Sequence, residues 1–287
     1  MSLAERVTVS ILTHNRAREL AVTLDHTLAA CAGARVIVVD NGSTDTTAEL
    51  VRSFAPRVEH LRLAENHGAA GRNAGVRAAA TPYVALCDDD AWWEPGALAR
   101  AAAALDAHAG LAVVTARVLV GPDEREDPTS AVMAASPLPP RDDLPGPPIL
   151  GFLAGASMVR RSAFLAAGGF EPRFFLGGEE RLLAIDLACA GWSLAYLASA
   201  TVHHHPSAAR DVAARCALLV RNGLWCTWLR RPWRSALRET AALLRGGREG
   251  TAVLRGALEA VAGLPWVVRG RRVVPAEVER ALQLVTA

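Results

Sequence analysis

"VTVSILTHNRARELAVTLDHTLAACAGARVIVVD", Val7 to Asp40, is the stretch on which the fold turns. The β-branched run Val7 to Thr13 leads into helical spacing from Arg16 to Ala30, and a second β-branched run follows from Arg35 to Asp40. Strand, helix and strand in that order predict a parallel α/β sheet. The alternation continues outward. Val58 to Leu63, Tyr83 to Cys87 and Leu111 to Val118 read as further strands, with Thr46 to Phe54, Gly71 to Ala79 and Pro95 to Ala107 as helices. Pro122 to Pro148 is rich in Pro and Asp and predicts an irregular loop. Beyond about Pro206 the pattern is almost wholly helical.

Of the 287 residues, 51% are hydrophobic, enough for one large core or a core with an appendage. A net charge of +2 does not ask for a nucleic-acid partner. Every basic side chain other than histidine is arginine, a bias that matches a GC-rich coding sequence and carries no function. Cys31, Cys87, Cys189, Cys216 and Cys226 are scattered, with no CxxC pair for zinc or disulfide exchange, so a reducing, cytoplasmic setting is expected. "MSLAERVTVSILTHN" has an acid before a short apolar run and no small-residue cleavage site, unlike a signal peptide. No apolar run approaches the roughly 20 residues of a membrane span.

The polar clusters "HNR", "DNGSTD", "ENHGAAGRN" and "CDDD" each follow a strand, and in open α/β sheets ligands bind outside those carboxyl ends. Neither GxxxxGK[ST] nor GxGxxG spacing is present, so phosphate must be neutralised in another way. Acids at a strand end do this by holding Mg²⁺ or Mn²⁺. If the strand pitch continues, Asp88 and Asp90 point one way and Asp89 the other. Taken alone, the three acids also read as a solvated turn capping the Pro95 helix.

In order along the chain stand "VSILTHNR" (Val9 to Arg16), "VIVVDNGSTDTT" (Val36 to Thr47), "NHGAAGRNAG" (Asn66 to Gly75), "YVALCDDD" (Tyr83 to Asp90), "GASMVRRSAFLAAGGFEPRFF" (Gly155 to Phe175) and "GGEERLLAIDLACAGW" (Gly177 to Trp192). This set resembles a family 2 glycosyltransferase of the GT-A fold, over roughly residues 5 to 207. The resemblance implies a Rossmann-like mixed sheet of the nucleotide-diphospho-sugar transferase kind in residues 1–207. The nucleotide-sugar half would be about 1–120 and the acceptor half about 150–207, with a helical extension over 208–287. It implies metal-dependent, inverting transfer from a UDP, dTDP or GDP sugar to an acceptor hydroxyl, in glycan, glycolipid or glycosylated metabolite synthesis, with Mn²⁺ or Mg²⁺ held by a DXD-type motif. Asp40 would hydrogen-bond the donor base, and Thr13, Asn15 and Arg16 would line the same pocket. Gly68 and Arg72 would lie against the donor, Asp88 and Asp89 would serve ribose and metal-bound water, and Asp90 would hold the metal. From the residues alone, Asp40 also reads as an Asx turn with Asn41-Gly42, Arg72 as a solvated first-turn arginine, and Trp92 and Trp93 as packing residues or as walls on the acceptor side.

In "GGEE", Glu180 takes the place where the family commonly has a catalytic Asp, so the resemblance makes it the general base. Glutamate is a departure from that pattern, Glu179 stands beside it, and two acids also suit a helix N-terminus. Asp186 falls where the family often has arginine and receives no role. In "TVHHHPS" the resemblance assigns His204 to the metal or diphosphate site; it shares a face with Val202, while His203 and His205 read as structural. In "RCALLVRNGLWCTWLRRPWRSALRETAALLRG", Leu218, Trp225, Trp228 and Leu229 form one helical side beside arginines. Such a helix packs back on the catalytic part or lies on an anionic membrane surface, and the second would suit a lipid-linked acceptor. Two rival functions are a nucleotidyltransferase, whose glycine-rich, lysine-containing signature is missing from "SILTHNRAREL", and a non-catalytic sugar- or lipid-binding module.

Overall fold

The computed structural model describes residues 2–31, 33–206, 212–246 and 250–286. Strands β1 (Val7–Thr13), β2 (Arg35–Asp40), β3 (Val58–Arg62), β4 (Tyr83–Asp88), β5 (Ala91–Trp93), β6 (Leu111–Val120), β7 (Arg125–Glu126), β8 (Ser157–Arg160) and β9 (Ser193–His204) form one sheet in the order β3-β2-β1-β4-β8-β6-β9-β5, with β7 on β6. The β3-β2-β1-β4 half is parallel, and β8 runs antiparallel to both its neighbours, so the sheet is mixed. Helices cover both faces of β1, which is why Val7, Val9 and Ile11 on one side and Thr8 and Ser10 on the other are all buried. The buried Thr8 hydroxyl is paired with that of Thr81 at 2.8 Å.

Between strands lie α1 (Leu3–Arg6), α2 (Ala17–Ala30), α3 (Thr47–Ser53), α4 (Arg72–Ala78), α5 (Ala97–Ala107), α6 (Pro128–Ala134), α7 (Arg161–Ala166) and α8 (Glu179–Cys189). The five strands and four helices expected in the first half are present, with ends displaced by a residue or two. The expected irregular loop from Pro122 to Pro148 is corrected: β7 pairs with β6, and α6 begins at Pro128. Its start is an ordinary one, with the Asp127 carboxylate accepting from the Thr129 N–H at 2.7 Å and proline in the first turn.

The registers position the site. Thr13 pairs with Asp40 and Leu12 with Asp88, so the carboxyl ends of β1, β2 and β4 lie side by side. The chain then turns at Asp89-Asp90 and returns as β5, whose Ala91 pairs with His204 near the end of β9. That return brings the acid cluster to the histidines.

Residues 212–286 form α9 (Val212–Arg230), α10 (Trp233–Gly246), α11 (Gly250–Ala262), α12 (Leu264–Gly270) and α13 (Ala276–Val285). The expected boundary at residues 207 and 208 lies outside the described residues. Trp225 and Leu229 of α9 are buried in one cluster with Phe174, Leu182 and Ile185 of the preceding region. Arg230 grips the carboxylate of Asp186 on α8 through Nε at 2.5 Å and Nη2 at 2.9 Å. Among the helical elements, the apolar side of α9 therefore serves packing.

Candidate functional site

A cleft of about 620 Å³ opens at the carboxyl ends of β1 and β4, lined on one side by Asp88, Asp89 and Asp90 and on another by Glu179 and Glu180. Thr13, Arg16, Gly68, Arg72 and His204 also line it.

The three acids do not alternate as a continued strand would make them. β4 ends at Asp88, and the turn that follows buries both Asp89 and Asp90 while Asp88 stays half-exposed. Asp88 forms a close ion pair with the buried Arg72 at the start of α4. Asp89 is anchored through its backbone, whose carbonyl accepts from Thr23 Oγ1 at 2.8 Å. Asp90 Oδ1 faces His204 Nε2 at 3.4 Å, and its Oδ2 accepts from Arg16 Nη2 at 2.8 Å. Arg16 Nε also lies 3.2 Å from Asp89 Oδ1, so one guanidinium spans two acids.

Burial raises the Asp89 carboxyl to about 7, with Arg16 opposing and Asp90 adding to the rise. Burial pushes Asp90 the same way, but the hydrogen bond and charge of His204, with Arg16, outweigh it and hold Asp90 below its ordinary value. Asp90 therefore stays ionised through the neutral range. The two adjacent carboxyls thus shift in opposite directions, because Asp90 faces His204 as well as Arg16.

Glu179 is buried and Glu180 is partly exposed. Burial raises the Glu180 carboxyl well above the usual glutamate range, the Glu179 charge raises it further, and Arg72 opposes. Arg72 in turn is stabilised as a cation, against the cost of its burial, first by Asp88 and then by Glu180 and Glu179. One buried arginine therefore feels both acidic walls.

Gly68 precedes Arg72 by one short turn and sits at φ +57°, where a Cβ would run into the backbone carbonyl of Phe175. The contact it permits is a hydrogen bond from the Ala69 N–H to Phe175 O at 2.6 Å. Gly155 is required for a different reason, because a Cβ there would occupy the space of the Asp88 carboxylate.

Asn15 and Asp40 are placed beside the cleft without lining it. Asn15 Oδ1 accepts from the Thr44 N–H at 2.7 Å and clamps the turn after β2. Asp40 is fully buried; its Oδ1 accepts from the Ser43 N–H at 2.8 Å, and its Oδ2 lies 3.3 Å from His60 Nε2. Asp40 and Asn15 thus hold one turn from two sides. His203 meets Glu124 at 3.2 Å, and Trp92 lies between the rings of His26 and His203, with His205 also against it. Trp92 and Trp93 are buried and pack.

The sequence reading missed several lining residues. Asn41 reaches Asn66 Oδ1 at 2.9 Å and accepts from the His67 N–H at 3.0 Å, which ties the turn after β2 to the turn before Arg72. Asp127 joins from α6, in the segment taken for a loop, where Asp-Pro-Thr was the available signal. Gly155 gave no signal by itself, since its need depends on the distant Asp88.

Among the described residues no three metal-ligating side chains converge. Asp90 and His204 form an adjacent pair on the cleft wall, one hard oxygen ligand and one imidazole. A pair suits Mg²⁺ or Mn²⁺, which commonly takes one or two protein ligands and completes its shell with substrate phosphate and water.

The model of the glycosyl transferase family 2 matches residues 8–166. The N-acetylglucosaminyl-diphospho-decaprenol L-rhamnosyltransferase of Mycobacterium tuberculosis is 30% identical over 253 residues, spanning 72% of this chain and 81% of that protein. Among solved structures, the mannosyltransferase PcManGT from Pyrobaculum calidifontis, in complex with GDP-Man and Mn²⁺, superposes with a TM-score of 0.60 at 20% identity, covering 98% of this chain and 86% of that one. Staphylococcus aureus TarS 1–349 with UDP-GlcNAc superposes with a TM-score of 0.61 at 18% identity, covering 96% of this chain and 83% of that one. These two likenesses concern the fold, a mixed α/β GT-A architecture followed by helices.

Proposed function

The chain belongs to glycosyl transferase family 2, and from that premise we propose that it transfers a sugar from a nucleoside-diphosphate donor to an acceptor hydroxyl with inversion at the anomeric carbon. The observation that carries the proposal is the pairing of the Asp88–Asp90 wall with the Glu179–Glu180 wall across Arg72 in one cleft.

The donor diphosphate is assigned to the first wall, with a divalent cation held by Asp90 and His204. When bound, that cation supplies positive charge where the leaving diphosphate develops its negative charge. Arg72 holds Asp88 in place and adds a fixed cation. Arg16 now covers Asp89 and Asp90, and on release from them it faces the same phosphates. The donor nucleoside is assigned to the turn after β2, which Asp40 and Asn15 hold in shape, with Thr13 beside it. Glu180 accepts the proton of the acceptor hydroxyl as that oxygen attacks from the face opposite the diphosphate. A panel of UDP, dTDP and GDP sugars with Mn²⁺ and a polyprenyl-diphosphate-linked saccharide tests this reading. Release of nucleoside diphosphate is expected. Release of pyrophosphate would point to nucleotidyl transfer, and release of neither would leave only a binding module.

The acceptor is proposed to be lipid-linked, as in the name of the mycobacterial relative. Among the described residues no single helix is long and apolar enough to cross a membrane. The bent pair α11 and α12, broken by 58°, reaches that length only together, and α11 is packed on α9. A surface suited to an anionic bilayer is on α10, where Trp233, Leu237 and Leu244 are exposed beside the exposed Arg234, Arg238 and Arg245. We propose that this surface brings the protein to the inner face of the membrane by peripheral contact. Trp233→Glu combined with Leu237→Glu should abolish co-sedimentation with phosphatidylglycerol vesicles and spare turnover on a soluble acceptor. Equal sedimentation of parent and variant would overturn the surface.

A further inference from the structure

Asn222 of α9 is fully buried, and its amide nitrogen approaches three backbone carbonyls, Phe174 O at 2.8 Å, Leu176 O at 3.1 Å and Gly177 O at 2.6 Å. Its own Oδ1 accepts from Arg221 Nε at 3.0 Å. Arg221 also donates through Nη2 to Phe174 O at 2.9 Å and Arg173 O at 3.2 Å. All these carbonyls lie in the segment that ends at Glu179.

That segment has an unfavourable backbone. Phe175 sits at φ 61°, ψ −65°, and the Leu176 N–H reaches back to Phe174 O at 2.7 Å, which makes a γ-turn of the strained hand. Carbonyls in such a turn have no helix or strand to satisfy them, and the conformation persists only where its surroundings over-determine it. Asn222 provides that constraint from one side. From the other, Phe175 O accepts from the Ala69 N–H, in the turn that leads to Arg72. The same short segment therefore sets where Arg72 approaches Asp88 and where α8 begins with Glu179 and Glu180.

We infer that Asn222 is a positioning residue for the transfer, holding the γ-turn so that Glu180, in the first turn of α8, faces the acceptor. The inference rests on Glu180 as the base, and it makes the helical region part of the active-site support. Removing the amide takes the side-chain donor from Leu176 O and Gly177 O, while Phe174 O keeps Arg221 Nη2 and the Leu176 N–H. The turn then relaxes and Glu180 is displaced, while Asp90 and His204, held by β4, β5 and β9, stay where they are.

Asn222→Ala is expected to lower kcat by roughly 10²-fold, the scale of an ångström's misplacement of a catalytic group. Its Mn²⁺-dependent donor affinity should stay within about threefold. In the Glu180→Gln background the same substitution should add less than about threefold, because two changes acting through one group do not add. Asn222→Asp, which sets an anion against the same carbonyls, should be at least as damaging as Asn222→Ala. Leu224→Ala, a buried change on the same helix, controls for stability alone and should spare kcat at a matched fall in Tm. Amide hydrogen exchange should quicken at residues 175–180 in Asn222→Ala and stay unchanged in β1 and β4. Near-parental kcat, an equal loss in both backgrounds, or an equal loss in Leu224→Ala would overturn the inference. If the parent releases no nucleoside diphosphate from any donor, the functional reading itself fails. Exchange at 175–180 then decides separately: quickening sustains Asn222 as the clamp of the turn, and no change overturns it.

Discussion

Glu180→Gln should retain donor and metal binding and lose turnover by roughly 10²-fold or more, because glutamine keeps the length and hydrogen-bonding reach of glutamate but takes no proton. The pH profile adds a second signature. A base works only when deprotonated, and burial, with the Glu179 charge next, holds Glu180 protonated above the usual glutamate range. Parental kcat/KM should therefore rise with pH beyond the range of an ordinary glutamate and fall as pH drops through the raised value. Glu179→Gln removes one of the raising charges, so the same rise should move to lower pH. Glu180→Asp keeps a carboxylate but withdraws it by one methylene, and partial activity is expected. Turnover would be read as nucleoside-diphosphate release and donor binding by calorimetry with Mn²⁺. Near-parental turnover in Glu180→Gln would overturn the assignment and transfer it to Glu179.

Asp90→Ala should fail in binding and in chemistry together. Asp90 is ionised through the neutral range because His204 and Arg16 more than offset its burial, and it is the acid that the pair with His204 would present to a divalent cation. Without it, Mn²⁺ should no longer tighten donor binding, and the Tm rise produced by Mn²⁺ with a nucleoside diphosphate should vanish, since a ligand stabilises only the state that binds it. Turnover should fall with both, as the leaving diphosphate loses its electrostatic support. The contrast with Glu180→Gln is the discriminating result, since one variant binds without reacting and the other does neither. Unchanged Mn²⁺-dependent donor binding in Asp90→Ala would remove the metal role from this acid.

By itself the sequence determined the first four strands and β6, the helices between them and the helical end. "RVIVVD" carries valine and isoleucine on both faces, as a doubly covered strand does, whereas "VTVSILT" sets Val7, Val9 and Ile11 against Thr8 and Ser10; the polar clusters after both mark strand ends wherever the strands finally pair. It also brought the acids and the "GGEE" pair forward as candidates, because their residue types carry the chemistry. It did not reveal which way Asp88, Asp89 and Asp90 point, since the strand stops at Asp88 and a turn sets the rest. It did not reveal β5, three residues long and paired with β9, nor that Arg16 would span two acids. The α9 stripe was visible as amphipathic, but whether it met lipid or protein depended on Phe174, Leu182 and Ile185 being there to receive it. Asn222 looked like any polar residue in a helix until its amide met three carbonyls some 45 residues earlier in the chain. Periodicity records which face of an element is buried, because burial acts residue by residue along it. What that face is buried against, and therefore which charges meet in the cleft, is settled by contacts between distant segments, and those exist only once the chain has folded.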